Sequence, residues 1–183
     1  TGNTQANIVI TRKQGTGNVK IKYVVFRGDA VINEYNQGTS TIVGQANAAG
    51  AITVGAVLYS NTPAYGVNPP TVASFSSRGG HLMNGIDRMK PDITAPNGVN
   101  TTVQMGGQNI DGDFFPNFFG TSCAAPHAAG VAALLQSAKK KFYNGATFSP
   151  SEMRSLMQST AIDMYGQGYD VQSGAGFIQA DTA

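Results

Sequence analysis

The chain is short of charge, of cysteine and of long apolar runs. Asp, Glu, Lys and Arg make up only 12% of its 183 residues, about half the share usual in globular proteins. The net charge is +2, and the basic residues are scattered apart from Lys139-Lys140-Lys141. A run that short supports neither a nucleic-acid partner nor a membrane surface. No stretch reaches the roughly 18 apolar residues that a spanning helix needs. No positively charged start leads into an apolar core, so no signal peptide is read. The first residue is Thr1 rather than Met, which points to a processed product, a proteolytic fragment or a trimmed piece of a longer chain. The single cysteine, Cys123, cannot form an internal disulfide, so cysteine usage does not fix the redox compartment. Cys123 has no cationic neighbour in sequence to activate it, and it reads as a small buried space-filler rather than a catalytic thiol. No cluster of carboxylates stands out, so no metal and no cofactor are expected.

What the chain does have is glycine, 23 residues, alongside 41% hydrophobic residues. That combination fits one compact, loop-rich domain rather than a helical bundle or a disordered tail. Residues 1–40 differ in style from the rest. Asn7 to Arg12 and Val19 to Phe26 are β-rich runs separated by Gln14-Gly15-Thr16-Gly17-Asn18, a hairpin-type turn sequence. The second run alternates Val19, Ile21 and Tyr23 with Lys20 and Lys22, so one face is expected to be wet. A short strand is expected at Ala30 to Ile32. Residues 1–40 are thus read as an antiparallel β-hairpin region, inserted ahead of residues 41–183.

From Thr41 the pattern changes. Ala51 to Val57 is a nearly continuous run of small and β-branched residues, the form of a strand buried on both faces of a parallel sheet. Pro91 to Pro96 reads as a short strand closed by proline. Long loops are expected from Ser60 to Thr71 and from Arg78 to Arg88. A helix is predicted from about Ser122 to Lys140. Its first half, Ala124 to Ala133, is small and apolar all round, which predicts central burial. Pro126 is placed in the first turn, three lysines favour the far end, and Asn144-Gly145 is the stop. A second helix starts at Ser149-Pro150-Ser151-Glu152, an N-cap, a proline and a capping box. Met153, Leu156, Met157 and Thr160 give it one apolar face. Strands interleaved with helices predict an α/β fold with a parallel sheet.

The informative stretch is Gly120-Thr121-Ser122-Cys123-Ala124-Ala125-Pro126-His127-Ala128-Ala129-Gly130. It sets a serine at the mouth of a buried helix, where unpaired N–H groups and the positive dipole end favour an oxyanion. This stretch resembles the nucleophile motif of subtilisin-like serine proteases, G-T-S-x-A-x-P-H-x-x-G, at every fixed position. Ile52 to Val57 resembles the family's V-G-A strand, and Ala73 to Gly79 its F-S-S-x-G loop. Lys90 to Pro96 is similar to its K-P-D-[IV]-x-A-P segment. Ser173 to Ala180 is similar to its closing G-x-G segment. The resemblance covers roughly residues 41 to 183, with one departure: the glycine usual after Ala95-Pro96 is replaced by Asn97-Gly98.

The resemblance implies the C-terminal half of a subtilisin-like three-layer sandwich. It implies a serine endopeptidase in which an Asp orients a His, the His deprotonates Ser122, and Ser122 attacks the scissile carbonyl. The Ser122 N–H and an Asn side chain would hold the oxyanion. The family's D-[ST]-G and H-G-T-x-V-A-G motifs do not occur, so the triad Asp and His are not in this sequence. His127 belongs to the nucleophile motif and is implied to be structural. His81 reads as a solvent-exposed loop histidine, Asp92 as a local cap or pairing residue, and Asp163 and Asp170 as turn residues. Asn33 and Asn36 lack the family context for the oxyanion asparagine, and Asn47 lies too close to the V-G-A strand, so its position is unknown. The chain alone is therefore expected to be inactive. The expected partners are a protein or peptide substrate and the N-terminal half of the catalytic domain. Half a parallel sheet has a raw edge, which that half, edge pairing or a domain-swapped dimer would cover. The alternative reading is a pseudoprotease or binding module on the same fold. Family habit implies a secreted or exported protein.

Overall fold

A computed structural model describes residues 5–19, 21–23, 30–35, 38–83, 85–104 and 109–183. Among them the named strands and α-helices are β1 (Val54–Leu58), β2 (Leu82–Met83), β3 (Ile86–Asp87), β4 (Ile93–Asn97), β5 (Val99–Asn100), β6 (Asn117–Phe118), α1 (Thr121–Phe142) and α2 (Pro150–Ser159). The chain divides into two compact units, Thr1–Ala30 and Val31–Ala183. That division falls earlier than the change of composition near residue 41.

In the larger unit β1 and β4 run parallel, in register from Val54 opposite Ile93 to Leu58 opposite Asn97. Gly55, Ala56 and Val57 are all buried, as a strand covered on both faces requires. The closing segment extends the sheet by a bridge between Thr94 and Phe177. Thr94 N–H donates to Gly176 at 2.8 Å, and Ile178 N–H donates back to Thr94 at 3.0 Å. Gly176 has φ 122°, and a Cβ there would stand 2.0 Å from the Ile162 carbonyl oxygen. Only glycine fits so close an approach.

The core forms where α1 and α2 meet this sheet. Ala56, Ile93 and Ala95 from the strands pack with Ala124 and Ala128 of α1, Met153 and Met157 of α2, and Ile178. The alanines let α1 come close to the sheet, and the two methionines fill the remaining volume. Burying one such methionine contributes about 1.5–3 kcal/mol. At the start of β4, Asp92 is 3% exposed and Lys90 2%. Asp92 Oδ2 accepts from Lys90 Nζ and from Thr53 N–H, each at 2.6 Å. Arg154 Nε of α2 lies 3.3 Å from Asp92 Oδ1, a charge contact rather than an aligned hydrogen bond. Asp92 thus ties both strands and α2 together.

The capping box forms as its sequence predicts: Ser149 Oγ accepts from Glu152 N–H, and Glu152 accepts from Ser149 N–H at 2.7 Å. At the end of α1, Gly145 N–H donates to Lys140 at 3.0 Å, with Asn144 and Gly145 both at positive φ. Residues 60–71 hold short 3-10 turns, and residues 78–88 hold the β2–β3 pair.

Three expectations need correction. The first half of α1 is not covered on all sides. Cys123, Ala124 and Ala128 are buried, while Ala125, Ala129, Gly130, Ala133 and Leu134 are exposed. The described residues supply a sheet against one face only. Pro126 lies inside α1 rather than in its first turn, because the helix begins at Thr121. Its missing N–H leaves the Ser122 carbonyl without an intrahelical donor. In the smaller unit, the described residues of the 7–12 and 19–26 runs form no strand, and neither do Ala30 to Ile32, which straddle its boundary. Ile8, Val9, Ile10, Val19, Ile21 and Tyr23 are exposed, and a two-stranded hairpin with nothing to bury is marginal in water. Lys20 and Val24 to Phe26 lie outside the described residues.

Candidate active site

Gly120, the residue before α1, has φ 108°, a conformation side chains disfavour. It turns the chain sharply from β6 into α1. Its carbonyl caps the helix, accepting from Cys123 N–H at 2.9 Å and Ala124 N–H at 3.3 Å. Ser122 is therefore the second residue of α1, and it is exposed. Among the described residues nothing hydrogen-bonds to its hydroxyl. Its N–H belongs to the first-turn donors that no intrahelical acceptor reaches. A free hydroxyl and an N–H donor thus stand together at the positive end of a 22-residue helix.

The other candidates do not converge on Ser122. His127 Nδ1 donates to the Cys123 carbonyl at 2.8 Å, one turn back on the same helix. His81 is half-buried instead of solvent-exposed, with Nδ1 3.2 Å from Ser40 Oγ. Its loop folds back into the β2–β3 pair, where Arg88 N–H donates to the His81 carbonyl at 3.2 Å. Asp92 is engaged by Lys90, Thr53 and Arg154. Asp163 accepts from Gly168 N–H at 2.6 Å, and Asp170 from Gln172 and Ser173 N–H at 2.6 and 2.9 Å, as turn residues do. Asn33 is exposed on the surface, and Asn36 lies outside the described residues. Asn47 Nδ2 donates to the Ile42 carbonyl at 2.7 Å. Cys123 is a buried free thiol, 1% exposed. Among the described residues no group of three or more His, Cys, Asp or Glu could hold a metal, and no helix is long and apolar enough to cross a membrane.

Two features were not read from sequence. Asn97 ends β4 fully buried, and its Oδ1 accepts from Gly120 N–H at 3.4 Å. It stands where the family has glycine, which was the available signal. The second is a pocket of about 380 Å³ between the ends of β1 and β4 and the α1 face carrying His127. Tyr59, Tyr65, Asn100 and Asp111 line it. Buried Asn117 orders its rim, donating to Gly98, Asn100 and Asp111 at 2.9, 2.9 and 3.1 Å. The Asn117 amide holds the Asp111 carboxyl below the usual carboxylate range, helped by backbone N–H groups and the Tyr59 hydroxyl. Desolvation, then the Asp111 charge, push the Tyr59 phenol up.

Comparison with known proteins matches residues 3–176 to the model of the Subtilase family. The match reaches back well before residue 41, where the sequence motifs begin. A Subtilisin-like protease, SBT2.1 of Arabidopsis thaliana, is 31% identical over 140 residues, 72% of this chain and 16% of its own length. Fervidolysin of Fervidobacterium pennivorans is 33% identical over 115 residues, 61% of this chain and 16% of its own. The structure of the Clostridium perfringens CspB protease superposes with TM-score 0.53 at 26% identity, covering 72% of this chain and 25% of that one. The chain therefore spans 16% of the length of the two curated relatives.

Proposed function

Because this chain belongs to the subtilase family, we propose that it carries the nucleophile of a serine endopeptidase, and that Ser122 is that nucleophile. The observation behind this reading is an exposed serine at the start of α1, without a hydrogen-bond partner for its hydroxyl among the described residues, inside an intact G-T-S-x-A-x-P-H-x-x-G motif. In the intact protein, a histidine outside this chain takes the Ser122 proton as Oγ attacks the scissile carbonyl. An aspartate outside this chain orients that histidine. The Ser122 N–H and an asparagine side chain hold the oxyanion. The intermediate collapses to an acyl-enzyme, the amine leaves with the histidine's proton, and water releases the acid.

The 183 residues alone are inactive in this reading, since the described residues bring no base to the Ser122 hydroxyl: His127 Nδ1 is held by the Cys123 carbonyl and His81 Nδ1 lies beside Ser40 Oγ. The N-terminal half of the same catalytic domain covers the exposed face of α1 and supplies the base. Two observations favour that occupant: the apolar face itself, and the small share of each relative that this chain spans. A swapped or edge-paired dimer would instead appear as a second copy in sedimentation. We also place the intact protein outside the cytoplasm, on family habit; its absence from culture medium and envelope fractions would refute that.

Hydrolysis of a peptide substrate by the intact protein and its Ser122→Ala variant tests the main reading. The variant should lose activity by a factor on the order of 10⁴ or more. Equal rates would overturn it. A pseudoprotease would show no hydrolysis in either form.

A further inference from the structure

The pocket beside α1 has a chemical character that peptide hydrolysis itself does not use. We propose that it is a subsite for a lysine or arginine side chain of the bound peptide. The proposal rests on the protease reading and adds a substrate class to it.

Its walls are aromatic and its charge is negative. The Tyr59 and Tyr65 rings stand edge to face, centroids 5.2 Å apart and planes at 76°. Aromatic faces attract ammonium and guanidinium groups through the ring quadrupole. Asp111 sits on the same pocket, held by Asn117 and by Tyr59 Oη at 3.3 Å. Among the described residues Asp111 makes no ion pair, and no Lys or Arg lines the pocket. The chain as a whole carries +2, so the negative character is local. His127 lines the same pocket, its Nδ1 taken up by the Cys123 carbonyl. Such a site suits a ligand that is all donor, as Lys and Arg side chains are.

Position links the pocket to the nucleophile. His127 follows Ser122 by five residues on α1, about 7.5 Å along the helix axis and about 140° around it. Pro96 in the pocket wall precedes Asn97, whose side chain accepts from the Gly120 N–H. The pocket lies at the carboxyl ends of β1 and β4, where open α/β sheets bind ligands.

The test uses the intact protein and peptide pairs that differ at one position, lysine against norleucine, with that position scanned on both sides of the scissile bond. At one position the lysine peptide should show kcat/KM about tenfold higher. Asp111→Asn should bring the ratio to within about twofold, and Tyr65→Leu should lower it several-fold. Tyr65 is 61% exposed, so that second variant keeps the test valid if Asp111→Asn fails to fold. A parallel arm measures binding of the same peptides to the Ser122→Ala protein by calorimetry. Hydrolysis without any lysine preference, or a preference that survives both substitutions, overturns the proposal. A lysine preference in binding that is lost with Asp111→Asn, in a protein that hydrolyses nothing, sustains the pocket and sinks the protease reading instead.

Discussion

Ala128 and Ala129 are neighbours on α1, yet Ala128 is 4% exposed and Ala129 is open to solvent. The same holds along the helix: Ala124 and Ala128 touch the sheet, while Ala125, Gly130, Ala133 and Leu134 touch nothing comparable. Chemically the two faces are alike. A surface helix ordinarily turns polar residues outward, and α1 does so only near Lys139 to Lys141. The difference teaches that the first half of α1 is written for an interior, of which the described residues build one side. Ser122 stands at the head of that helix, between a finished wall and an unfinished one.

Substitutions can break this comparison or sharpen it. The largest effect is expected beneath the finished face. Asp92→Asn leaves the Lys90 ammonium buried without its carboxylate, and should cost about 3–5 kcal/mol in chemical denaturation. A cost below about 1 kcal/mol would mean that the pair does not hold the sheet to α2. Next comes the direct contrast. Ala128→Leu overpacks the core and should cost about 1–3 kcal/mol. Ala129→Leu should stay within about 0.5 kcal/mol in the 183-residue chain. In the intact protein it should cost as much as Ala128→Leu, and equal tolerance in both settings would remove the interior reading of the outward face. A smaller effect belongs to α2, which presses the finished face from beyond. Ser149→Ala removes the N-cap and should cost about 1 kcal/mol in thermal unfolding.

The smallest effect is a pH dependence at the same cap. The Ser149 N–H, then its hydroxyl, and then Lys139 hold the Glu152 carboxyl below the usual range in the folded protein. A lowered folded value means that the contribution is complete above the ordinary Glu range and fades as pH falls through the folded value. The melting-temperature difference between the wild type and Glu152→Gln should therefore be present near neutral pH and shrink in acid. A difference that grows on acidification would contradict the capping account.

Local signals were legible where the chemistry was local. The Ser149 to Glu152 cap, the Asn144-Gly145 stop and the β-branched run of β1 each carry their own reason in a few residues, and each formed. The G-T-S motif marked the start of α1 because its glycine, serine and alanines must lie together. The one-sided burial of α1 was not legible, since an all-apolar pattern states that a face wants covering and not what is present to cover it. The stretch from Asn7 to Tyr23 failed for a related reason: alternation permits a strand, but pairing needs a second surface. Asn97 showed itself as a departure from a family glycine, though its contact with Gly120 depends on strand register. The Tyr59, Tyr65 and Asp111 pocket joins residues far apart in sequence, and no spacing rule brings them together.

The most direct test of the central claim is labelling of Ser122 by a fluorophosphonate probe, read by peptide mass spectrometry in the intact protein and in the 183-residue chain side by side. Strong labelling in the intact protein and none above background in the chain is the expected result. Labelling of the isolated chain at a comparable rate, or an unlabelled Ser122 in folded intact protein, would contradict it.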